Sequence, residues 1–252
     1  MIGRLGKMLV VGTLVLCAPT VASANPKYAG IVVDAKTGKT LYAANADAYR
    51  FPASLTKIMT TYIIFEELEA GRLSMSSRLK VSKNAAAEVP SKLGLKPGST
   101  ISVKDAIGSL VTKSANDVAT TVAENIAGSE SAFARRMTRT ARQLGMSKTT
   151  FRNAHGLPNS KQRTTARDMA TLGRAIQERF PEYYKLFNTR VYKYKGRPLR
   201  NHNRLLGTVR GVDGIKTGYI RASGFNLVTS VKRDNRHIVA VVMGGRTGAR
   251  RN

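Results

Sequence analysis

Residues 51–62 read FPASLTKIMTTY, and the interpretation of the whole chain starts from this stretch. Pro52 suits the first turn of a helix, where its missing N–H is not needed. Gly71 is a stop signal, so the stretch predicts a helix over residues 54–70. Apolar side chains recur along one face of this helix, at Leu55, Ile58, Tyr62 and Phe65.

Ser54 and Lys57 are three positions apart and therefore lie side by side on the predicted helix. A hydroxyl beside an amine, at the positive end of a helix, is one way to assemble a serine nucleophile without histidine. The helix end also lowers the cost of a neutral lysine and of a serine that loses its proton. The pair therefore indicates nucleophilic chemistry.

The first 24 residues predict a signal peptide. Two basic residues precede an apolar run over residues 8–17, and Ala22-Ser23-Ala24 is a small-residue cleavage site. The run is too short for a stable membrane span, so we expect export to the periplasm or cell envelope. Cys17 is the only cysteine, so residues 25–252 can hold neither a disulfide nor a cysteine nucleophile.

The chain is strongly basic. Two of its 42 basic residues lie in the leader, so the remaining 40 against 15 acidic residues give a mature net charge of +25. Such a balance often indicates nucleic-acid binding, but export argues against that partner. Contact with an anionic envelope polymer or with phospholipid headgroups is the better prediction. Solubility through high charge explains most of these residues equally well.

Strands at both ends with helices between them predict an α+β domain. We expect the N- and C-terminal strands to share one antiparallel sheet and the middle of the chain to form a helical lobe. A hairpin joins residues 28–34 to 39–43, and helices begin at Ser102, cover 116–127 and 131–144, and run from Thr164/Thr165 to about Phe180. Further strands are expected at residues 192–194, 205–209, 212–217, 224–231 and 237–243.

Three short patterns recur in acyl-transferring serine enzymes that use lysine as a base: S-x-x-K, S-x-N and K-T-G. The chain holds Ser54-Leu55-Thr56-Lys57, Ser114-Ala115-Asn116 and Lys216-Thr217-Gly218. It also holds a second copy of each, Ser77-Arg78-Leu79-Lys80, Ser82-Lys83-Asn84 and Lys36-Thr37-Gly38. Each pattern alone is weak, and the sequence context has to choose between the copies.

Context favours the first set. Lys36-Thr37-Gly38 falls at a hairpin tip, where a glycine serves the turn, whereas Lys216-Thr217-Gly218 ends an extended run with two glycines that allow close backbone approach. Ser77-Arg78-Leu79-Lys80 has no helix behind it, and Ser82-Lys83-Asn84 is typical of a helix cap. Ser114-Ala115-Asn116 sits at a break between two helices, from which its side chains can project into a cleft. An ordinary helix N-cap at Ser114 is the alternative.

In this order the three motifs resemble the serine-type D-alanyl-D-alanine carboxypeptidases, the low-molecular-mass penicillin-binding proteins. The likeness extends from about residue 28 to residue 246 and includes His155-Gly156-Leu157, GVDGIKTG at 211–218 and VMGGRT at 242–247. It implies a penicillin-binding/β-lactamase-like fold over residues 25–252, an antiparallel sheet with helices packed on it. Relatives commonly continue beyond the equivalent of Asn252, so we expect a C-terminal end that is cut short, without a covering helix or an anchor.

Chemistry and this resemblance together imply roles for the first two motifs. Ser54 would attack the carbonyl of the penultimate D-alanine of a peptidoglycan stem peptide, and Lys57 would accept the serine proton. Lys57 must be neutral for this, and burial together with the cation of Lys216 would lower its pKa. Ser114 would relay a proton to the departing D-alanine, and Asn116 would hold the Lys57 amine and the substrate amide.

The third motif is expected to bind substrate. Lys216 and Thr217 would hold the terminal carboxylate, and Gly218 would let the substrate lie along the strand. Backbone N–H groups of Ser54 and Tyr219 would form the oxyanion hole, typically worth about 3–4 kcal/mol per donor. β-Lactam antibiotics would then be covalent inhibitors that acylate Ser54.

No metal or organic cofactor is implied. His155, His202 and His237 lack a metal-ligand spacing; we expect His237 to face solvent and His155 to lie at the cleft rim. The roles of His202 and Arg251 stay open.

Three other functions are compatible with the motifs and the basic composition of the chain. A D,D-endopeptidase would cut cross-links with the same residues. A β-lactamase is less favoured, because the chain has no E-x-x-L-N segment of the kind that positions a deacylating water. A basic wall-binding protein without activity is the alternative from another class.

Overall fold

The computed structural model describes residues 25–252. The predicted signal peptide, residues 1–24, lies outside the described residues. From residue 25 onward, every helix is too short or too polar to cross a bilayer.

The central sheet has five antiparallel strands in the order β2-β1-β9-β8-β7, and two further strand pairs, β3 with β4 and β5 with β6, lie outside it. The strands are β1 (Ala29–Asp34), β2 (Thr40–Ala44), β3 (Arg78–Lys80), β4 (Thr100–Ser102), β5 (Val191–Tyr194), β6 (Arg197–Arg200), β7 (Val212–Ile220), β8 (Gly224–Arg233) and β9 (Arg236–Gly245). Because β1 pairs with β9, the two ends of the chain share one sheet, as predicted.

One face of the sheet is buried. Along β9, Val239, Val241 and Met243 are fully buried at every second position, which is the period at which a strand turns side chains to one face. Ile31 pairs with Val241 across the β1–β9 ladder and adds to the same apolar layer. Helix α6 (Ala166–Arg179) packs across β1, β8 and β9 on this side.

The other helices form the lobe beyond this layer, except for the last one, which lies at the end of the chain. They are α1 (Thr56–Glu69), α2 (Lys83–Ala87), α3 (Val103–Val111), α4 (Asn116–Ala127), α5 (Glu130–Gln143), α7 (Pro181–Tyr184) and α8 (Gly248–Arg251). The predicted caps are present, since Ser102 accepts from Asp105 N–H and Thr165 from Asp168 N–H. Gly128 ends α4 at φ +74°.

Helix α1 is the centre of the lobe. A 3-10 turn, Ala53–Leu55, leads into it, and nearly all of its residues are buried on every side, rather than on the single apolar face that the sequence predicts. Two of its buried threonines form hydrogen bonds to backbone oxygens. Thr60 Oγ1 donates to Ala154 O at 2.6 Å, and Thr61 Oγ1 donates to Lys57 O at 2.8 Å. Thr56 Oγ1 is also buried and has no hydrogen-bond partner within residues 25–252. Because α1 is buried on all sides, it is a core helix.

One prediction about local structure, the strand at residues 205–209, is wrong, and the alternative of a helix N-cap at Ser114 is excluded. Residues 205–209 form turns, because the Asn203 side chain and backbone accept N–H groups of Leu205 and Leu206 and so compete with a strand. The strand of this region is β6 instead, joined to β5 through Lys195 and Gly196, both with positive φ. Ser114 is not a helix N-cap, since Ala115 holds that position in α4 without a side-chain bond.

Candidate active site

The position of Ser54 is fixed by tight backbone contacts. Ala53 has φ +49°, and a Cβ placed on Gly156 would lie 1.9 Å from the Ala53 carbonyl oxygen. On the opposite side, the buried Asn226 of β8 donates through Nδ2 to Phe51 O at 3.0 Å and Pro52 O at 3.2 Å. The entry to α1 is therefore held between a loop and the sheet.

The amine of Lys57 is buried and enclosed by three groups. Nζ donates to Oδ1 of Asn116 at 2.7 Å and to the backbone oxygen of His155 at 2.6 Å. Ser54 Oγ lies 3.5 Å from the same nitrogen. A neutral amine has two N–H bonds and one lone pair; the two carbonyl-type oxygens take the hydrogens and leave the lone pair for the serine hydroxyl.

Electrostatics favour that neutral form. Burial and then the nearby cation of Lys216 hold the pKa of Lys57 well below its usual value. Lys216 is itself buried, and burial together with Arg251 lowers its pKa to about 7. Burial and a neighbouring positive group thus disfavour the charged form of each lysine.

Ser114 lies at the break between α3 and α4 with φ +60°. Its side chain is 4% exposed, and its Oγ makes no hydrogen bond to any other described residue. A buried hydroxyl without a partner in the protein is uncommon, and this one borders the cleft beside Ser54. It is therefore free to bond a group that enters the cleft.

Strand β7 is the edge of the sheet and forms one wall of the cleft. A Cβ on Gly218 would lie 3.0 Å from Ser54 N and 3.1 Å from Leu55 N, so only glycine lets the strand approach this closely. Thr217 and Tyr219 flank it on the cleft wall. The free edge of such a strand is suited to an extended peptide.

The cleft has a volume of about 310 Å³ and unites the three motifs. Six of the eight predicted site residues line it, namely Ser54, Ser114, Asn116, Thr217, Gly218 and Tyr219. The other two, Lys57 and Lys216, are buried. The second copies of the motifs lie elsewhere: Ser82 caps α2, residues 78–80 form β3, and Lys36 lines a different surface depression.

Three further basic residues line the cleft: His155, which is at the cleft as predicted, His202 and Arg251. Burial, followed by the cations of Lys216 and other basic residues, lowers the pKa of His202 to about 4, so its imidazole is neutral near pH 7. Arg251 comes from α8, a single helical turn that packs on β8 and β9. The positive groups on this side of the cleft favour an anionic ligand group.

His155 is buried in an ion-pair cluster. Its Nε2 lies 3.1 Å from Glu130 Oε1 and 3.3 Å from Glu88 Oε1. Burial opposes the charged imidazolium, but hydrogen bonds to the two carboxylates outweigh it and raise the pKa of His155. The three ligand-type atoms lie within 4.8 Å of one another, so this cluster is where a cation could be held in the described chain. The raised pKa favours a protonated His155, whose positive charge would lie between the two carboxylates.

The third histidine departs from the prediction. His237 does not simply face solvent, because its Nε2 lies 2.9 Å from Ser230 Oγ across the β8–β9 ladder.

Comparison with known proteins identifies the family. The sequence model described as D-alanyl-D-alanine carboxypeptidase, peptidase S11, matches residues 18–247. The chain belongs to this family. D-alanyl-D-alanine carboxypeptidase DacC of Escherichia coli (strain K12) is 37% identical over 226 residues, which cover 87% of this chain and 56% of that protein. The chain spans just over half the length of curated relatives such as this one.

Solved structures of the family share the fold. The crystal structure of D-alanyl-D-alanine carboxypeptidase DacD from Francisella tularensis has a TM-score of 0.85 at 32% identity and covers 99% of this chain and 71% of that one. Penicillin-binding protein D2 from Listeria monocytogenes, in its cefotaxime-bound form, has a TM-score of 0.80 at 30% identity and covers 88% and 91%. The predicted penicillin-binding-like α+β fold is therefore confirmed.

Sequence reasoning missed the residues that support the site from a distance. Glu88 and Glu130 contact the imidazole of His155, and the backbone oxygen of His155 accepts a hydrogen bond from the Lys57 amine. Asn226 anchors the entry to α1. None of these residues belongs to a short motif, and a single sequence indicates functional residues mainly where they lie a few positions apart. The one available signal was a lone asparagine, Asn226, in a buried strand.

Proposed function

We propose that this protein is a serine D-alanyl-D-alanine carboxypeptidase that removes the terminal D-alanine from peptidoglycan stem peptides. The observation that carries the proposal is the enclosed amine of Lys57, 3.5 Å from Ser54 Oγ and bonded to Asn116. Family membership supports the reaction class. Residues 25–252 would form the catalytic domain.

In the first step Ser54 Oγ attacks the carbonyl carbon of the penultimate D-alanine, and its proton passes to Lys57 Nζ. Backbone N–H groups of Ser54 and Tyr219 stabilise the oxyanion that forms. The C–N bond then breaks, and Ser114 relays the proton from Lys57 to the departing amine, so that Ser114 is again a hydroxyl and Lys57 again neutral. The result is an ester between Ser54 and the shortened peptide, with free D-alanine released.

The terminal carboxylate of the substrate is bound by the cationic side of the cleft. Lys216 supplies the positive charge and Thr217 a hydroxyl, with Arg251 close to Lys216. Asn116 orients the substrate amide, and Gly218 allows the peptide to lie along β7. In the second step water attacks the ester carbonyl, Ser54 recovers its proton, and the shortened peptide leaves.

Penicillins and related compounds would acylate Ser54 by the same first step. The Listeria monocytogenes protein is known in a cefotaxime-bound form, and the shared fold supports the same behaviour here. We also infer action in the periplasm or cell envelope, where stem peptides occur. The signal-peptide pattern in residues 1–24 supports this location.

The test is the release of D-alanine from a synthetic acyl-D-Ala-D-Ala peptide, with Ser54→Ala as the inactive variant and Ser77→Ala as the matched control. We expect release by the parent protein and by Ser77→Ala, and none by Ser54→Ala. A cross-linked muropeptide dimer in parallel distinguishes endopeptidase activity. Absence of D-alanine release by the parent protein would contradict the proposal.

A further inference from the structure

A second cleft, larger than the one at Ser54, lies beside it. Its volume is about 610 Å³, and it is formed by residues 92–99, Lys113 and the β5–β6 hairpin. Five of its lining residues are cationic and none is acidic: Lys92, Lys96, Lys113, Lys195 and Arg197. We call it the basic cleft.

The charges of the basic cleft are not neutralised by the protein. Within the described chain none of the five cations forms an ion pair. Lys92 donates to the carbonyl of Ala86, and Lys195 lies over the ring of Tyr194. Lys96, Lys195 and Arg197 are exposed, so an anionic group in solution can reach them.

A buried carboxylate supports the wall of the basic cleft. Both oxygens of the buried Asp117 accept backbone N–H groups, from Leu93 at 3.0 Å, Gly94 at 2.9 Å and Leu95 at 3.1 Å. These bonds fold the wall of the basic cleft around the first turn of α4. Asn116 of the candidate active site is the adjoining residue, so one helix end positions both clefts.

The two clefts are neighbours along the chain at two points. Ser91 lines the Ser54 cleft and Lys92 the basic cleft; Ser114 lines the first and Lys113 the second. A hydrogen bond from Ser91 Oγ to Lys113 O, at 2.9 Å, joins these two segments. A molecule whose end enters the Ser54 cleft therefore has a cationic surface next to it.

We propose that the basic cleft binds a carboxylate-rich peptide segment of peptidoglycan, outside the D-Ala-D-Ala terminus held at Ser54. This inference rests on the proposed function for the identity of the polymer. Lysine ammonium groups pair with carboxylates, and Leu93, Leu95 and Leu199 offer apolar surface for the aliphatic parts of the peptide. Contiguity with the Ser54 cleft favours another part of the same polymer over an unrelated phosphate chain.

The test compares two synthetic pentapeptides that end in D-Ala-D-Ala, one with two free side-chain carboxylates and one with both amidated. The cleft variant is Lys96→Gln/Lys195→Asn/Arg197→Gln, in which asparagine suits the positive φ of residue 195. The control variant removes three exposed charges elsewhere, Lys39→Gln/Lys232→Gln/Arg236→Gln, none of which lines either cleft. Acylation by benzylpenicillin reports whether the Ser54 site is intact in each.

We expect the cleft variant to raise KM for the acidic peptide about tenfold at low salt, since each exposed ion pair contributes roughly 2- to 5-fold. KM for the amidated peptide and the rate of penicillin acylation should not change, and the control variant should behave like the parent protein. Equal effects of the two variants, or equal effects on the two peptides, would overturn the proposal.

Direct binding separates this proposal from the proposed function. Titration calorimetry with Ser54→Ala protein should show tighter binding of the acidic than of the amidated peptide, and the cleft substitutions should abolish the difference. If the parent protein releases no D-alanine but this difference is present, the proposed activity fails and the cleft assignment stands. Loss of binding to phosphatidylglycerol vesicles without any change in peptide affinity would overturn the assignment.

Discussion

Among single residues, Lys57 matters most, because the proposed acylation of Ser54 depends on its protonation state. Its amine has two carbonyl-type acceptors within 2.7 Å and the Ser54 hydroxyl at 3.5 Å. Burial and Lys216 both disfavour the charged form. These contacts suit a base that takes a proton from serine, and they join residues that are up to 98 positions apart in the sequence.

Substitution Lys57→Ala should lower the second-order rate of acylation by benzylpenicillin by about 10²–10⁴-fold, the usual contribution of a general base. The matched control is Lys80→Ala, which changes the lysine of the second S-x-x-K copy, exposed on β3. Stopped-flow measurement of acylation checks both. A Lys57→Ala protein that acylates at the parent rate would remove Lys57 from the mechanism.

The pH dependence follows from the same pair of lysines. Acylation needs neutral Lys57, so the rate should fall as pH decreases through its lowered pKa. Carboxylate binding needs charged Lys216, whose pKa is about 7, so kcat/KM should also fall as pH rises above that value. The plot of kcat/KM against pH should therefore be bell-shaped, and its two apparent pKa values describe the two lysines together.

The variant Lys216→Arg separates the two limbs. Arginine stays protonated throughout this range, so the alkaline limb should move to higher pH while the acid limb stays. A profile of kcat/KM measured with the peptide substrate between pH 5 and roughly 10 covers both titrations. An alkaline limb that is the same in both proteins would contradict the role of Lys216.

Short motifs made the central residues of the site predictable from sequence. Ser54, Ser114 and Lys216 each belong to a pattern of three or four positions, and the helix or strand context selected the copies that meet at one cleft. Glu88 and Asn226 were not predictable, because they act through contacts with residues 67 and 175 positions away. One sequence carries no signal for such distant pairs.

At the scale of elements, the junction between the 155–157 loop and α1 positions Ser54. Gly156 has φ +90° and faces the Ala53 carbonyl. The Gly156→Ala substitution should therefore lower the free energy of unfolding by roughly 3 kcal/mol or more, because it adds a clash with backbone to left-handed strain. It should also slow acylation.

Gly145→Ala is the matched control for that substitution. Gly145 has φ +83° but no atom within 4 Å of the added Cβ, so it carries the backbone strain without the clash. We expect a loss of about 1–2 kcal/mol and normal acylation. Urea denaturation and penicillin acylation measure both variants. Equal behaviour of the two alanine variants would contradict the close contact at Ala53.

Elements with strong periodicity and caps were predictable, whereas weak strands were not. Helix α4 begins at Asn116 and ends at Ala127, as its pattern and Gly128 predict. Residues 205–209 have a strand-like composition, but Asn203 bonds their N–H groups locally. The burial of α1 on all sides was not predicted, because the partners that satisfy the hydroxyls of Thr60 and Thr61 in the interior cannot be read from the local sequence.

At the scale of the whole molecule, three segments that are distant in sequence meet in one cleft. The sheet carries β7 to the start of α1, and the α3–α4 break brings Ser114 to the same place. Around this cleft the surface is basic, with the basic cleft directly beside it. If the proposed binding at the basic cleft holds, part of the positive charge of the chain serves to bind substrate.

The most direct test of the central claim is mass spectrometry of the protein after brief treatment with benzylpenicillin. We expect one penicilloyl adduct, located on the peptide that contains Ser54, and no adduct in the Ser54→Ala variant. An adduct on Ser77 or Ser114, or labelling that persists in Ser54→Ala, would contradict the assignment of Ser54 as the nucleophile.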